Sequence, residues 1–160
     1  MPTLTLQFVS TRGLIPRIIR TWTNSDICHV DAVLKDGRLL GSQLHEKDGG
    51  GVLIRDANYE EFTKKFEVQI DVTQEQYELY WKFLYSQLGK PYDNMAILGL
   101  VIHRDWRETN SWFCSELIAA ALEYAGILKI PIEVNWVDPQ TLRTILCSSP
   151  LLIKQAYCNC

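Results

Sequence analysis

The chain has 160 residues, 47% of them hydrophobic and 22% charged, with a net charge of −3. That length can bury one good core, and the composition is that of an ordinary globular protein. A weakly negative chain without basic clusters gives no electrostatic reason to expect a nucleic-acid partner.

Five cysteines are an odd number, spaced neither as a disulfide scaffold nor as a zinc ribbon. A reducing cytoplasm is the expected compartment, and no metal or cofactor is implied. Residues 1–5 carry no basic leader and no apolar region or cleavage site follows, so no signal peptide is expected. The longest apolar run, residues 95–102, is too short to span a bilayer, so no integral membrane segment is expected. If the target lies outside the cell, a lysis, secretion or virion route must deliver the protein. Oligomeric state is not legible.

Residues 3–9 alternate Leu4, Leu6 and Phe8 with Thr5 and Gln7, the period of a strand with one buried face. Residues 14–22 read as a short helix with Pro16 in its first turn, and residues 23–26 as a polar break. Strands over 29–34 and 39–44 are joined by Lys35-Asp36-Gly37, a hairpin signal. Gly49-Gly50-Gly51 permits a turn before Val52-Leu53-Ile54, and residues 66–72 look like another strand.

Helices then take over. Thr73 and Gln76 fit a capping box, and Tyr77, Tyr80, Trp81, Leu84 and Leu88 follow at helical spacing until Gly89. Residues 93–103 suggest a second helix. Ser111 or Asn110 caps a third, which carries Leu117, Ile118, Ala121 and Leu122 towards Gly126. Asp138-Pro139 opens a fourth that ends near Cys147. Residues from about 150 to 160 read as a peripheral tail, and Cys158-Asn159-Cys160 as its frayed end, a metal or redox pair being the alternative. No repeat or linker divides residues 1–160, which are expected to form one α+β domain.

Chemistry concentrates at Phe113-Cys114-Ser115-Glu116. A cysteine in the first turn of a helix meets unpaired N–H groups and partial positive charge, which favour the thiolate. Paired with a histidine remote in sequence, it is what a thiol hydrolase requires. The bland reading is a buried, inert cysteine. Of three histidines, His29 opens a strand, His45 lies in a polar loop, and His103 ends a helical stretch.

Leu88-Gly89-Lys90-Pro91-Tyr92-Asp93, followed by Trp112-Phe113-Cys114-Ser115-Glu116-Leu117-Ile118, resembles the signature of NlpC-type papain-like cysteine hydrolases. There a Gly-x-Pro-Tyr turn precedes the helix that bears a Cys-Ser pair. In most members the histidine strand comes after the cysteine, whereas Cys28-His29-Val30-Asp31 here comes before it. That order resembles the circularly permuted, YiiX-like branch, related to the lecithin:retinol acyltransferase type. The likeness spans residues 10–125. It implies a permuted papain-like fold, a mainly antiparallel sheet packed against helices that include the Cys114 helix. It implies Cys114 as nucleophile, His29 as base, and peptide or acyl substrates, with amide bonds of cell-wall peptides first.

The third member must accept a hydrogen bond from the far ring nitrogen of His29. The family's usual polar residue falls, by count along the hairpin, on Gly41, which has no side chain. A three-residue loop places Gln43 opposite His29, and a two-residue loop makes Ser42 its diagonal neighbour. Gln43 is preferred, with Ser42 and His45 behind it. Asp31, two residues from His29 on the same face, either tunes it or is a solvated carboxylate. Tyr92 either lines the site and assists an oxyanion or is a core aromatic. Trp112, like Trp106 and Phe113, either walls the cleft or packs in the core.

Two rival readings stand beside amide hydrolysis. One is lipid acyl chemistry by a thioesterase, phospholipase or acyltransferase, with Ile97, Leu98, Leu100 and Val101 supplying an apolar groove. The other is a non-catalytic binding module, against which the paired Cys114 and His29 argue.

Overall fold

Alternation in the first strand builds the centre of the molecule. In a computed structural model, which describes residues 1–44, 50–93 and 111–158, β1 (Thr3–Thr11) buries Leu4, Leu6 and Phe8 in the core. It pairs antiparallel with β2 (His29–Val33) on one side and β5 (Phe62–Asp71) on the other. Beyond β2 lie β3 (Leu39–Gln43) and β4 (Gly51–Arg55), and beyond β5 lies β6 (Leu152–Cys158), giving the order β4-β3-β2-β1-β5-β6. All five pairings are antiparallel. The β6 strand corrects the expectation of a peripheral tail, because residues 152–158 close one edge of the sheet. Its apolar residues do not alternate regularly with polar ones, so the strand period is weak, and β5 supplies the template.

The predicted hairpin loop forms in its three-residue version. The Leu34 N–H donates to the Arg38 carbonyl at 2.8 Å, and Gly37 takes φ +84°, a left-handed conformation that glycine adopts at no steric cost. Ladder pairing then runs Val33↔Leu39 and Ala32↔Leu40. Continued along the strands, this register sets Asp31 opposite Gly41 and His29 opposite Gln43.

Helix α1 (Leu14–Trp22) coincides with the predicted helix. Helix α2 (Gln74–Ser86) starts at the predicted capping box, the Thr73 hydroxyl accepting from the Gln76 N–H and the Gln76 side chain from the Thr73 N–H. Helix α3 (Cys114–Tyr124) follows, and after a 3-10 turn at Val134–Trp136, α4 (Pro139–Cys147) starts with Asp138 accepting from the N–H groups of Gln140 and Thr141. The α3 helix is capped by Phe113 in extended conformation and not by Ser111, and Asn110 lies outside the described residues. The segment 111–113 is held extended by backbone pairing, so the helix cannot begin there. Leu117, Ile118, Ala121 and Leu122 of α3 are buried against the sheet and against Tyr80, Trp81 and Leu84 of α2. The second predicted helix, with His103, Trp106 and the apolar residues 97–101, lies outside the described residues, as does His45.

Candidate active site

Three pieces of chain converge just before Cys114. The Trp112 N–H donates to the Pro91 carbonyl at 3.1 Å, and the Asp93 N–H donates to the Trp112 carbonyl at 3.2 Å. That carbonyl also accepts from the Ser42 hydroxyl at 2.6 Å. Backbone bonds at 2.9 Å from Val52 to Lys90 and from Gly89 to Val52 tie the turn to β4. The Gly-Lys-Pro-Tyr turn is thus clamped between β4 and the strand that delivers the helix.

Cys114 is 1% exposed at the first position of α3. The first helical bond is from the Leu117 N–H to the Phe113 carbonyl, and the Phe113 N–H is engaged by the Glu116 carboxylate at 3.4 Å. A helix start leaves its opening N–H groups without helical acceptors, and Cys114 is the residue at that start. Tyr92 is buried, its ring 6.0 Å from that of Phe113. Burial, then the charge at Cys114, pushes its phenol well above its ordinary value, so it stays protonated as a hydrogen-bond donor.

His29 opens β2 opposite Val9 of β1. Its Nε2 lies 3.0 Å from Asp31 Oδ2, in an ion pair whose N–H is not aligned for a good hydrogen bond. Side chains at i and i+2 of a strand project in parallel, which brings ring and carboxylate side by side rather than end to end. Cys114 also interacts with the imidazole. Burial alone lowers the His29 pKa, but the Asp31 charge, followed by Cys114, outweighs it and holds the imidazole well above 6.5. Burial likewise pushes the Asp31 carboxyl up, and His29 and then Arg55 bring it below 3.8. Both shifts favour an imidazolium beside a carboxylate.

The third member expected at Gln43 is corrected by this geometry. The Gln43 amide donates to Glu60 Oε2 at 2.9 Å, Ser42 is committed to Trp112, and Asp31 is the residue at His29. The three-residue loop does set Gln43 opposite His29 in register, but facing positions in a register are not contacts. Asp31 sits on the same strand, and its carboxylate takes the room that a side chain at Gly41 would fill. The signal was in the sequence as a pair: a carboxylate two residues from His29 and a glycine across the hairpin. Trp112 braces the site from outside, its indole N–H on the Gln87 carbonyl oxygen at 3.0 Å and its ring against Phe83. Phe113 packs in the core.

A cleft of about 750 Å³ opens beside His29. Leu14, Ile15, Pro16 and Ile19 of α1 line it, together with Leu53 and Tyr59. Among the described residues, no group of three or more His, Cys, Asp or Glu side chains is arranged to hold a metal ion. No described helix is long and apolar enough to cross a membrane.

Fold and site together define an α+β protein with one antiparallel sheet and a cysteine–histidine–aspartate cluster at a helix start. No family model matches the chain, and no curated protein matches it. A solved structure, described as the metalloprotein YiiX from Escherichia coli O157:H7 (DUF1105), matches with a TM-score of 0.56 at 18% identity. The match covers 96% of this chain and 95% of that one, so the fold is YiiX-like over nearly its whole length.

Proposed function

We propose that this protein is a cysteine hydrolase on a circularly permuted papain-like, NlpC-related fold. The observation that carries the reading is Cys114 at the first position of α3, in electrostatic contact with a buried His29 whose Nε2 faces Asp31. His29 takes the proton of the Cys114 thiol, and the resulting thiolate attacks an acyl carbonyl. The tetrahedral oxyanion is met by the backbone N–H of Cys114, with the protonated phenol of Tyr92 close by. The imidazolium then protonates the leaving amine or alcohol as the carbonyl re-forms, leaving a thioester on Cys114. A water deprotonated by His29 hydrolyses that thioester, and the departing thiolate recovers its partnership with the imidazolium. Asp31 does not accept the proton; its charge stabilises the imidazolium in both halves of the cycle.

The first substrate class is the amide bond of a cell-wall peptide, by the likeness of Gly89 to Tyr92 and of residues 112–118 to the NlpC signature. A second reading, an ester or thioester with an apolar acyl chain, is favoured by Leu14, Ile15, Pro16 and Ile19, which line the cleft beside His29. One experiment weighs both. The protein is incubated with purified bacterial cell-wall fragments and, separately, with acyl thioester and phospholipid, and products are read by mass spectrometry. New free amino groups that vanish with Cys114→Ala support the amidase, and free acyl chains that vanish with it support the lipid hydrolase. Products unchanged by Cys114→Ala, or no turnover together with an unreactive Cys114, refute the enzyme and leave a binding module.

A further inference from the structure

Asp31 is wholly buried, and a buried carboxylate needs more than one imperfectly aligned partner to stay ionised. The additional partners come from two strands away. Arg55, at the end of β4, places Nη2 3.1 Å from Asp31 Oδ1 and donates from the same nitrogen to the Gly41 carbonyl at 3.2 Å. Tyr59, in the connection between β4 and β5, donates its hydroxyl to Asp31 Oδ2 at 3.3 Å, the oxygen that also faces His29. The Arg55 guanidinium lies 4.9 Å from the centre of the Tyr59 ring, so each holds the other in place.

Reaching Asp31 from β4 means crossing β3, and the crossing point is Gly41. Register pairs Leu39 with Arg55 and Gly41 with Leu53, which makes Arg55 the diagonal neighbour of Gly41 on one face. A Cβ on residue 41 would lie 2.0 Å from Asp31 Oδ1 and 3.3 Å from the Val30 carbonyl oxygen. Such a carbon and the observed carboxylate exclude each other.

We propose that Arg55 and Tyr59 are positioning residues that hold the Asp31 carboxylate in a notch above Gly41 and through it orient His29, an inference that rests on the thiol-hydrolase reading of the site. Neither residue touches the nucleophile. Arg55 supplies a permanent charge to Oδ1, and Tyr59 fixes the direction of Oδ2. The glycine is what allows the acidic member to stand on the strand of the base instead of across the hairpin.

The test is the rate of Cys114 alkylation by iodoacetamide as a function of pH, read by mass mapping on variants first checked for folding by circular dichroism. Arg55→Met and Gly41→Ala are each expected to slow alkylation about tenfold, and Tyr59→Phe about threefold, the range of coupling between contacting groups. In each, the acid limb of the rate profile moves to higher pH, because a less well-stabilised imidazolium stabilises the thiolate less. Arg55→Lys recovers part of the loss. In an Asp31→Ala background, Arg55→Met and Gly41→Ala each change the rate less than about twofold, since the group they act through is gone. Full, additive losses in that background overturn the proposal, as does a folded Arg55→Met or Tyr59→Phe variant with the wild-type rate and profile. If Arg55→Met or Gly41→Ala does not fold, Tyr59→Phe, which removes one hydroxyl, decides the matter. An unreactive Cys114 in the wild-type protein sinks the hydrolase reading itself. Reactive Cys114 with indifferent Arg55 and Tyr59 variants sinks only this inference.

Discussion

Ser42 donates its hydroxyl hydrogen to the carbonyl oxygen of Trp112 at 2.6 Å, fastening β3 to the segment that delivers Cys114. The two residues are 70 positions apart, and the bond spans the interval between the hairpin that carries His29 and the helix that Cys114 opens. Ser42→Ala should lower stability by about 1 kcal/mol, the net worth of one buried hydrogen bond. The cost stays near that value because the Trp112 carbonyl keeps the Asp93 N–H. Urea unfolding measures it, and a neutral substitution would show that the backbone bonds of Trp112 hold the junction alone.

Cys114 should be the first cysteine modified by brief iodoacetamide treatment near neutral pH. It opens a helix and interacts with an imidazole, whereas burial pushes the Cys147 thiol up and slows it. Cys28 is occupied with the Val9 carbonyl at 3.6 Å and the Thr11 hydroxyl at 3.8 Å. Peptide mapping gives the order, and labelling of Cys28 or Cys147 ahead of Cys114 removes the nucleophile assignment.

Asp31 and Gln43 make a direct contest for the third position. Asp31→Asn keeps the shape but removes the charge that raises the His29 pKa, and should slow Cys114 alkylation at least about tenfold. Gln43→Ala removes the hydrogen bond to Glu60 and should stay within about twofold of wild type. The reverse ranking would return the role to β3.

The buried ion pair also fixes a sign for stability against pH. Asp31 titrates below 3.8 in the folded protein, so its contribution is present above that pH and is lost as pH falls through the folded value. His29 titrates above 6.5, so its contribution is complete below that pH and is lost as pH rises through the raised value. The stability gap between wild type and Asp31→Asn should therefore be widest between pH 3.8 and 6.5. Urea unfolding across pH measures the gap, and a gap that widens above this range contradicts the pairing.

Local patterns made much of the molecule legible. Residues 14–22 form their helix where the apolar spacing and Pro16 put it, and Thr73 and Gln76 form their capping box. The loop at Lys35-Asp36-Gly37 set the register of its hairpin. These features depend on neighbours a few residues away, so the sequence carries them directly. The edge strand β6 was not legible, because its partner is β5, more than 80 positions earlier.

The site divides in the same way. The sequence by itself determined that a cysteine opens a helix, that a histidine opens a strand, and that Gly41 leaves no side chain opposite Asp31. Only the tertiary structure decided that these belong together. The choice of Asp31 over Gln43 turns on which side chains share one small volume, with Arg55 and Tyr59 arriving across β3 and the Asp31 carboxylate standing 2.0 Å from where a Cβ at residue 41 would be. Register states which residues face each other, but excluded volume and charge pairing between strands select the one that makes contact.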